Sequence, residues 1–160
     1  FLALHKLNLV VHESDLPRGR GFSPMAWQIL AGHNDIPVCL FAAVPEADAG
    51  PVYLRDTIKL DGTELLPEIR RKQGAATLRL CLRFLEQWPD IEPLAQSGEP
   101  TVYPRRSHQN DRLPTDVPLE HLFDRLRVVD NEYYPAWFEC RGKRYTVRID
   151  HLPEDEETSC

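Results

Sequence analysis

Residues 7–24 read LNLVVHESDLPRGRGFSP, and this stretch decides the fold of the first half of the chain. The apolar run Leu7–Val11, interrupted only by Asn8, predicts a buried strand. His12 follows at the end of that strand, and Pro17–Phe22 predict a loop rich in glycine. Because α/β enzymes place catalytic groups where a core strand enters such a loop, His12 is a candidate catalytic base.

A helix and a second strand are expected after this loop. Ser23 is a preferred N-cap residue and Pro24 suits the first helical position. The helix is expected to run to about Ala31 and to stop at Gly32. Ile36–Val44 is almost continuously apolar, which predicts a strand in a sheet that is covered on both faces.

The second strand leads into an acidic tight loop, Glu46-Ala47-Asp48-Ala49-Gly50. Asp48 and His12 therefore follow neighbouring strand ends and form a candidate proton-handling pair. Each also has a structural interpretation. His12 would then cap its strand as a satisfied histidine, and Asp48 would be an ordinary turn residue.

One more strand and a long helix complete this half of the chain. Val52–Leu60 predicts the strand, and Glu64–Trp88 carries the longest helical pattern. Pro67 indicates its start, Gly74 a kink or break, and Pro89 its end. The order strand, helix, strand, strand, helix predicts an α/β fold with part of an open sheet.

The remaining residues predict a smaller element at the end of a connecting loop. Leu119–Val129 reads as an amphipathic helix, and Trp137–Cys140 with Tyr145–Ile149 as a β-hairpin around Arg141-Gly142-Lys143. The acidic tail is expected to be disordered. The predicted parts are 1–95 (main domain), 96–118 (connecting loop), 119–152 (helix and hairpin element) and 153–160 (tail).

Composition restricts the class of protein. The 160 residues carry a formal net charge of −6, which argues against a nucleic-acid surface. The sequence has no run of 18 apolar residues, so no membrane span is predicted. It also has no signal-peptide layout, and a cytoplasmic protein is therefore expected. The chain opens on Phe1 inside an apolar pattern, which suggests a fragment that lacks the N-terminal part of its fold.

Cysteine usage gives no support for a metal site. None of the four cysteines has metal-ligand spacing, and most lie in apolar surroundings. We therefore expect buried free thiols in a reducing compartment, and no metal. The cysteines are Cys39, Cys81, Cys140 and Cys160.

The pattern His-x-Ser-x-Leu-Pro-x-x-Arg-Gly-x-x-Pro over residues 12–24, followed by Asp48-Ala49-Gly50, resembles the folate-dependent formyltransferases. Farther along, Tyr103–Arg106, Leu126–Phe138 and Arg144–Ile149 resemble the sugar N-formyltransferase branch of that family. The resemblance covers most of the chain. It implies part of an open Rossmann-like formyltransferase sheet, followed by a small C-terminal helix and β-hairpin.

The resemblance also implies a reaction. N10-formyltetrahydrofolate would be the co-substrate, and the acceptor would be the amine of a nucleotide-linked deoxyamino sugar, with no nucleic acid and no membrane as partner. The C-terminal hairpin is also a candidate surface for a homodimer. The short C-terminal segment favours a sugar over methionyl-tRNA. The alternatives are a methionyl-tRNA formyltransferase, a formyltetrahydrofolate hydrolase, or an inactive relative that acts as a binding domain.

The same resemblance assigns candidate site residues. His12 would be the base, and Asp48 the carboxylate that orients it and relays protons. The folate-binding candidates are Val44, Glu46 and Asp48. The acceptor-binding candidates are Ser14, Arg20, Gly21, Ser23 and Trp27, with core packing as an equal interpretation for Trp27.

One departure from the family pattern affects the chemistry. These enzymes carry Asn-x-His, in which the Asn amide stabilises the oxyanion, but Val10 occupies that position here and has no donor. Asn8 lies on the same side of the strand, about 6.6 Å farther back. A backbone N–H with protonated His12, an Asn from elsewhere, or a different mode of binding the formyl oxygen would have to replace the missing donor.

Overall fold

The computed structural model describes residues 2–152, and its secondary structure follows the predicted order closely. The strands are β1 (Leu9–His12), β2 (Arg20–Gly21), β3 (Asp35–Ala42), β4 (Val52–Lys59), β5 (Val102–Tyr103), β6 (Ala136–Cys140) and β7 (Lys143–Val147). The α-helices are α1 (Pro24–Leu30), α2 (Leu66–Gln87) and α3 (Phe123–Arg127). Short 3-10 helices lie at Leu2–Leu4, His108–Asp111 and Leu119–Leu122.

The central sheet has the order β1-β3-β4, and both pairings are antiparallel. Along β3, residues Ile36, Val38 and Leu40 are buried in the core that contains α2. The alternate residues Cys39 and Phe41 are buried on the opposite side. The prediction of a strand covered on both faces is confirmed.

Helix α2 runs without a break through Gly74, so the expected kink is wrong. A Cβ at Gly74 would meet nothing within 4 Å, which places this residue on the open side of the helix. Ala76, Leu80 and Phe84 recur every four residues and are buried against the sheet. Their packing outweighs the roughly 1 kcal/mol that a helical glycine costs.

Helix α1 begins at Pro24, as predicted, but without the expected cap. Ser23 has the left-handed values φ 51° and ψ 45°, and its side chain makes no capping hydrogen bond. Its carbonyl instead accepts the Trp27 backbone N–H at 3.2 Å. Gly32, with φ 84°, follows the helix end as expected.

The C-terminal hairpin has a shorter turn than predicted. Arg141 and Gly142 both have positive φ, so a two-residue turn joins β6 to β7. The second strand therefore begins at Lys143 rather than at Tyr145. The predicted helix 119–129 is a 3-10 turn followed by the short α3.

A buried arginine joins α3 to the segments that precede β3 and α2. The side chain of Arg127 is 1% exposed. It donates to the Glu64 carboxylate at 3.0 Å, to Asn34 Oδ1 at 3.0 Å and to Asp124 Oδ1 at 3.1 Å. Lys72 also contacts Glu64. Burial opposes ionisation of Glu64, but the Lys72 ammonium and backbone N–H groups hold the pKa of this carboxyl below its ordinary value.

The cysteines differ in burial from the prediction. Cys39 is buried and Cys81 half-buried, but Cys140 is exposed near the hairpin turn, and all three are free thiols. Burial raises the pKa of Cys39 to about 11, which leaves this thiol protonated and inert at neutral pH. Cys160 and the predicted acidic tail lie outside the described residues.

Within residues 2–152, no helix is both long enough and apolar enough to cross a membrane.

Candidate active site

His12 is the last residue of β1 and is 7% exposed. Its Nε2 lies 2.8 Å from the carbonyl oxygen of Gly19. Because a carbonyl oxygen only accepts, Nε2 carries the hydrogen. The ring also meets Phe41 edge-on, with centroids 6.4 Å apart. The imidazole is therefore held in one orientation by the glycine loop and the sheet.

Asp48 reaches His12 from the loop that follows β3. Because β1 and β3 are antiparallel, β3 ends beside Leu9, at the far end of β1 from His12. The loop folds back, and Asp48 Oδ2 lies 3.9 Å from His12 Nε2. The same oxygen accepts the backbone N–H of Gly21 at 2.8 Å. The predicted pair therefore combines a residue at the end of β1 with a residue that the loop after β3 carries back to it, rather than two neighbouring strand ends.

The Asp48 loop has a constrained backbone. Asp48 has φ 54°, which is uncommon for a residue other than glycine. A Cβ at Gly50 would lie 1.6 Å from the carbonyl oxygen of Ala42, so only glycine fits there. Gln96 donates from Nε2 to the carbonyls of Asp48 and Gly50, each at 2.8 Å.

Arg20 and Glu46, which the sequence assigned to different substrates, form one ion pair. Arg20 Nη1 lies 3.0 Å from Glu46 Oε1, and Nη2 donates to Gln96 Oε1 at 2.9 Å. The side chain of Glu46 is 75% exposed, whereas that of Arg20 is 17% exposed. Arg20 therefore ties the glycine loop to the Asp48 loop.

The glycine loop is also paired with the segment around Tyr103. Strands β2 and β5 are parallel, and the Gly19 N–H donates to Thr101 Oγ1 at 2.9 Å. Gly19 and Gly21 have φ 70° and 98°. A Cβ would lie 2.7 Å from the Tyr103 ring at Gly19 and 2.4 Å from the Tyr103 carbonyl oxygen at Gly21. Both glycines are required by this close approach.

The half-buried Trp27 anchors α1 to the same segment. Its ring stacks on Tyr103 with centroids 6.4 Å apart and an interplanar angle of 11°. Its Nε1–H donates to the Pro104 carbonyl at 2.9 Å.

The other predicted site residues differ in accessibility. Ser14 is 3% exposed, and its buried Oγ has no hydrogen-bond partner among the described residues. Ser23 is exposed and Val44 half-buried. Val10 is 38% exposed and shares a strand face with His12. The Asn8 amide donates to the Leu2 carbonyl at 3.0 Å, so it is already engaged.

A cavity of about 600 Å³ lies between α1, α2 and residues 105–111. Ser23 lines it, together with Phe22 and Arg105. The Arg105 guanidinium lies 5.7 Å from the centre of the Phe22 ring. Arg106 is largely buried and paired with Asp111.

Gln96 and Thr101 also contribute to this region, and sequence reasoning missed both. Both lie in a polar stretch with no periodicity, and their partners are 46 to 82 residues away along the chain. A local sequence pattern does not predict contacts between residues this far apart.

No protein-family model matches the chain, but individual proteins do. The methionyl-tRNA formyltransferase of Leifsonia xyli is 33% identical over 141 residues, which cover 86% of this chain and 46% of that protein. The chain thus spans about half the length of the curated relatives it matches.

Solved structures share the fold. The methionyl-tRNA formyltransferase of Clostridium thermocellum superposes with a TM-score of 0.77 at 24% identity, covering 91% of this chain and 63% of that one. A sugar N-formyltransferase from a Shewanella species superposes with a TM-score of 0.71 at 16% identity, covering 92% and 63%. In sequence and in fold, the chain is similar to the formyltransferase family over about half the length of these relatives.

Proposed function

We propose that this protein transfers a formyl group from N10-formyltetrahydrofolate to the amine of a nucleotide-linked deoxyamino sugar. The observation that supports the proposal most strongly is the His12–Asp48 pair. These two residues lie 36 positions apart in the sequence, His12 at the end of β1 and Asp48 in the loop after β3, yet Nε2 and Oδ2 are 3.9 Å apart at a largely buried site.

The chemistry of formyl transfer suits such a pair. The acceptor amine attacks the formyl carbon, a tetrahedral oxyanion forms, and the bond from that carbon to the folate nitrogen breaks. Since His12 Nε2 already carries a hydrogen, Nδ1 is the nitrogen that takes the amine proton. The Asp48 carboxylate stabilises the resulting imidazolium. The proton then passes to the departing folate nitrogen.

The oxyanion needs donors that Val10 does not supply. Protonated His12 lies two residues farther along the same strand face and is a candidate donor. The loss of a single oxyanion donor costs about 100-fold or more in rate in other acyl-transfer enzymes. We therefore expect a slow reaction compared with relatives that carry Asn at this position.

The remaining site residues divide between the two substrates in this proposal. Val44, Glu46 and Asp48 would meet the folate. Ser14, Arg20, Gly21, Ser23 and Trp27 would shape the acceptor side. Arg20 acts through its ion pair with Glu46, which joins the two groups.

Charge favours a small acceptor over tRNA. The chain has a net charge of −6, and two arginines near the site are paired with carboxylates. Arg20 pairs with Glu46, and Arg106 with Asp111. A tRNA surface requires basic side chains that are free to meet phosphates.

Methionyl-tRNA is the second candidate acceptor, because the relative at 33% identity carries that name. Both candidates require the same donor and the same His12 chemistry. They differ only in the acceptor, so one assay separates them.

That assay follows release of tetrahydrofolate by the intact protein in the presence of N10-formyltetrahydrofolate. The acceptors are a panel of UDP-, GDP- and dTDP-linked aminosugars and methionyl initiator tRNA. Turnover with an aminosugar supports the proposal. Turnover with the tRNA alone would show the second candidate to be correct, and release without any acceptor would indicate a hydrolase.

A further inference from the structure

We infer that Gln96 is a positioning residue for Asp48, an inference that rests on the proposed function of the His12–Asp48 pair. Gln96 lies in the segment between α2 and β5, nine residues after the end of α2. It is half-buried against the Asp48 loop.

The amide of Gln96 uses both of its ends. Nε2 donates to the carbonyl oxygens of Asp48 and Gly50, each at 2.8 Å, and so spans the turn from one side to the other. Oε1 accepts from Arg20 Nη2 at 2.9 Å. A side chain with one donor end and one acceptor end is needed to make these three bonds.

Two of these bonds hold the turn that contains Asp48, whose backbone conformation is unfavourable. Asp48 has φ 54°, a left-handed conformation that costs energy unless the surroundings hold it. Its carboxylate makes two functional contacts, with the Gly21 N–H at 2.8 Å and with His12 Nε2 at 3.9 Å. A rotation of the turn would break the first contact and lengthen the second.

Gln96 also joins three loops. Through Arg20 it reaches the glycine loop, through Asp48 it reaches the loop after β3, and its own backbone belongs to the third. A displacement of about 1 Å in such a constellation can lower a rate by about 100-fold. Gln96 therefore supports the distance between His12 and Asp48 through the Asp48 backbone, without touching the imidazole or the carboxylate.

The test compares three variants of the intact protein. Gln96→Ala removes all three bonds. Gln96→Glu keeps the acceptor for Arg20 but, ionised, cannot donate to the two carbonyls. Gln87→Ala is the matched control, because Gln87 is exposed at the end of α2 and its side chain lies outside the site.

Two readouts are measured for each variant. The first is hydrogen exchange of the Gly21 amide, which reports the bond to Asp48 without any need for activity. The second is formyl transfer, separated into kcat and KM for the folate. We expect Gly21 exchange to rise and kcat to fall by roughly 10- to 100-fold in both Gln96 variants, with KM nearly unchanged. Gln87→Ala should match the wild type in both.

The two proposals fail in different ways. If the wild type transfers no formyl group, the proposed function is wrong, and Gly21 exchange alone decides the role of Gln96. If Gln96→Glu retains wild-type Gly21 exchange, donation to the turn is unimportant and the inference is overturned. Should Gln96→Ala unfold, which exchange of the buried α2 amides would show, Gln96→Glu still decides.

Discussion

Nε2 of His12 lies 3.9 Å from Oδ2 of Asp48, although β1, which ends at His12, and β3, which precedes Asp48, run in opposite directions. The approach depends on the loop after β3 folding back along the sheet. Gly50 permits this return, because a Cβ there would overlap the Ala42 carbonyl. The site therefore depends on loop geometry as much as on the residues that carry the chemistry.

Restoring the missing amide should accelerate the reaction. Val10 is partly exposed on the face that carries His12, so Val10→Asn places a donor beside that ring. We expect kcat to rise by about 10- to 100-fold, measured as tetrahydrofolate release. Val10→Leu is the control and should bring no gain. A fall in kcat for Val10→Asn would show that the oxyanion is already held in another way.

Removing the buried arginine should destabilise the fold strongly. Arg127→Met leaves the buried Glu64 carboxylate without its guanidinium partner. We expect the free energy of unfolding to drop by about 3–5 kcal/mol in urea titrations. Arg71→Met, which removes an exposed arginine 3.7 Å from Glu68, should change it by less than about 1 kcal/mol. Equal effects of the two changes would contradict the structural role of Arg127.

Glu64 should make stability depend on pH in the acidic range. Its folded pKa lies below the ordinary value of 4.5, so near this pH the unfolded chain binds more protons than the folded one. The stabilisation that Glu64 contributes is complete above about pH 4.5 and is lost as the pH falls through the pKa of Glu64 in the folded chain. Urea titrations between pH 7 and pH 3 should show a shallower loss for Glu64→Gln than for the wild type. An identical pH dependence of stability in the wild type and in Glu64→Gln would contradict the lowered pKa of Glu64.

Two glycines should respond in opposite directions to the same substitution. Gly50→Ala forces a Cβ against the Ala42 carbonyl and should destabilise by about 1–3 kcal/mol or more. Gly74→Ala adds a methyl group in open space within α2 and should stabilise by about 0.5–1 kcal/mol. Thermal unfolding measures both. A gain in stability for Gly50→Ala would show that the loop return is not fixed.

The elements that sequence reasoning predicted well are those with local signals. Apolar runs placed β3 and β4, and Pro24 with Gly32 bracketed α1. The expected kink in α2 was wrong, because that prediction considered only the local effect of a glycine. Gly74 sits in an unbroken helix because packing of the opposite face holds it.

The candidate site was only partly visible in the sequence. His12 and Asp48 stand out because they follow apolar strands and match a family motif. The Arg20–Glu46 ion pair, the contact of Thr101 with the glycine loop and the two bonds from Gln96 to the Asp48 turn could not be predicted. These contacts join residues far apart in sequence, and they depend on how the loops fold back over the sheet.

The most direct test of the account is the fate of an isotope-labelled formyl group. The intact protein is incubated with labelled N10-formyltetrahydrofolate and each aminosugar nucleotide, and mass spectrometry follows label on the acceptor amine. We expect label on an aminosugar for the wild type and for His33→Asn, whose exposed histidine is the control. We expect a loss of about 100-fold or more for His12→Asn. Near-normal labelling by His12→Asn, or no labelling by the wild type, would contradict the proposed function.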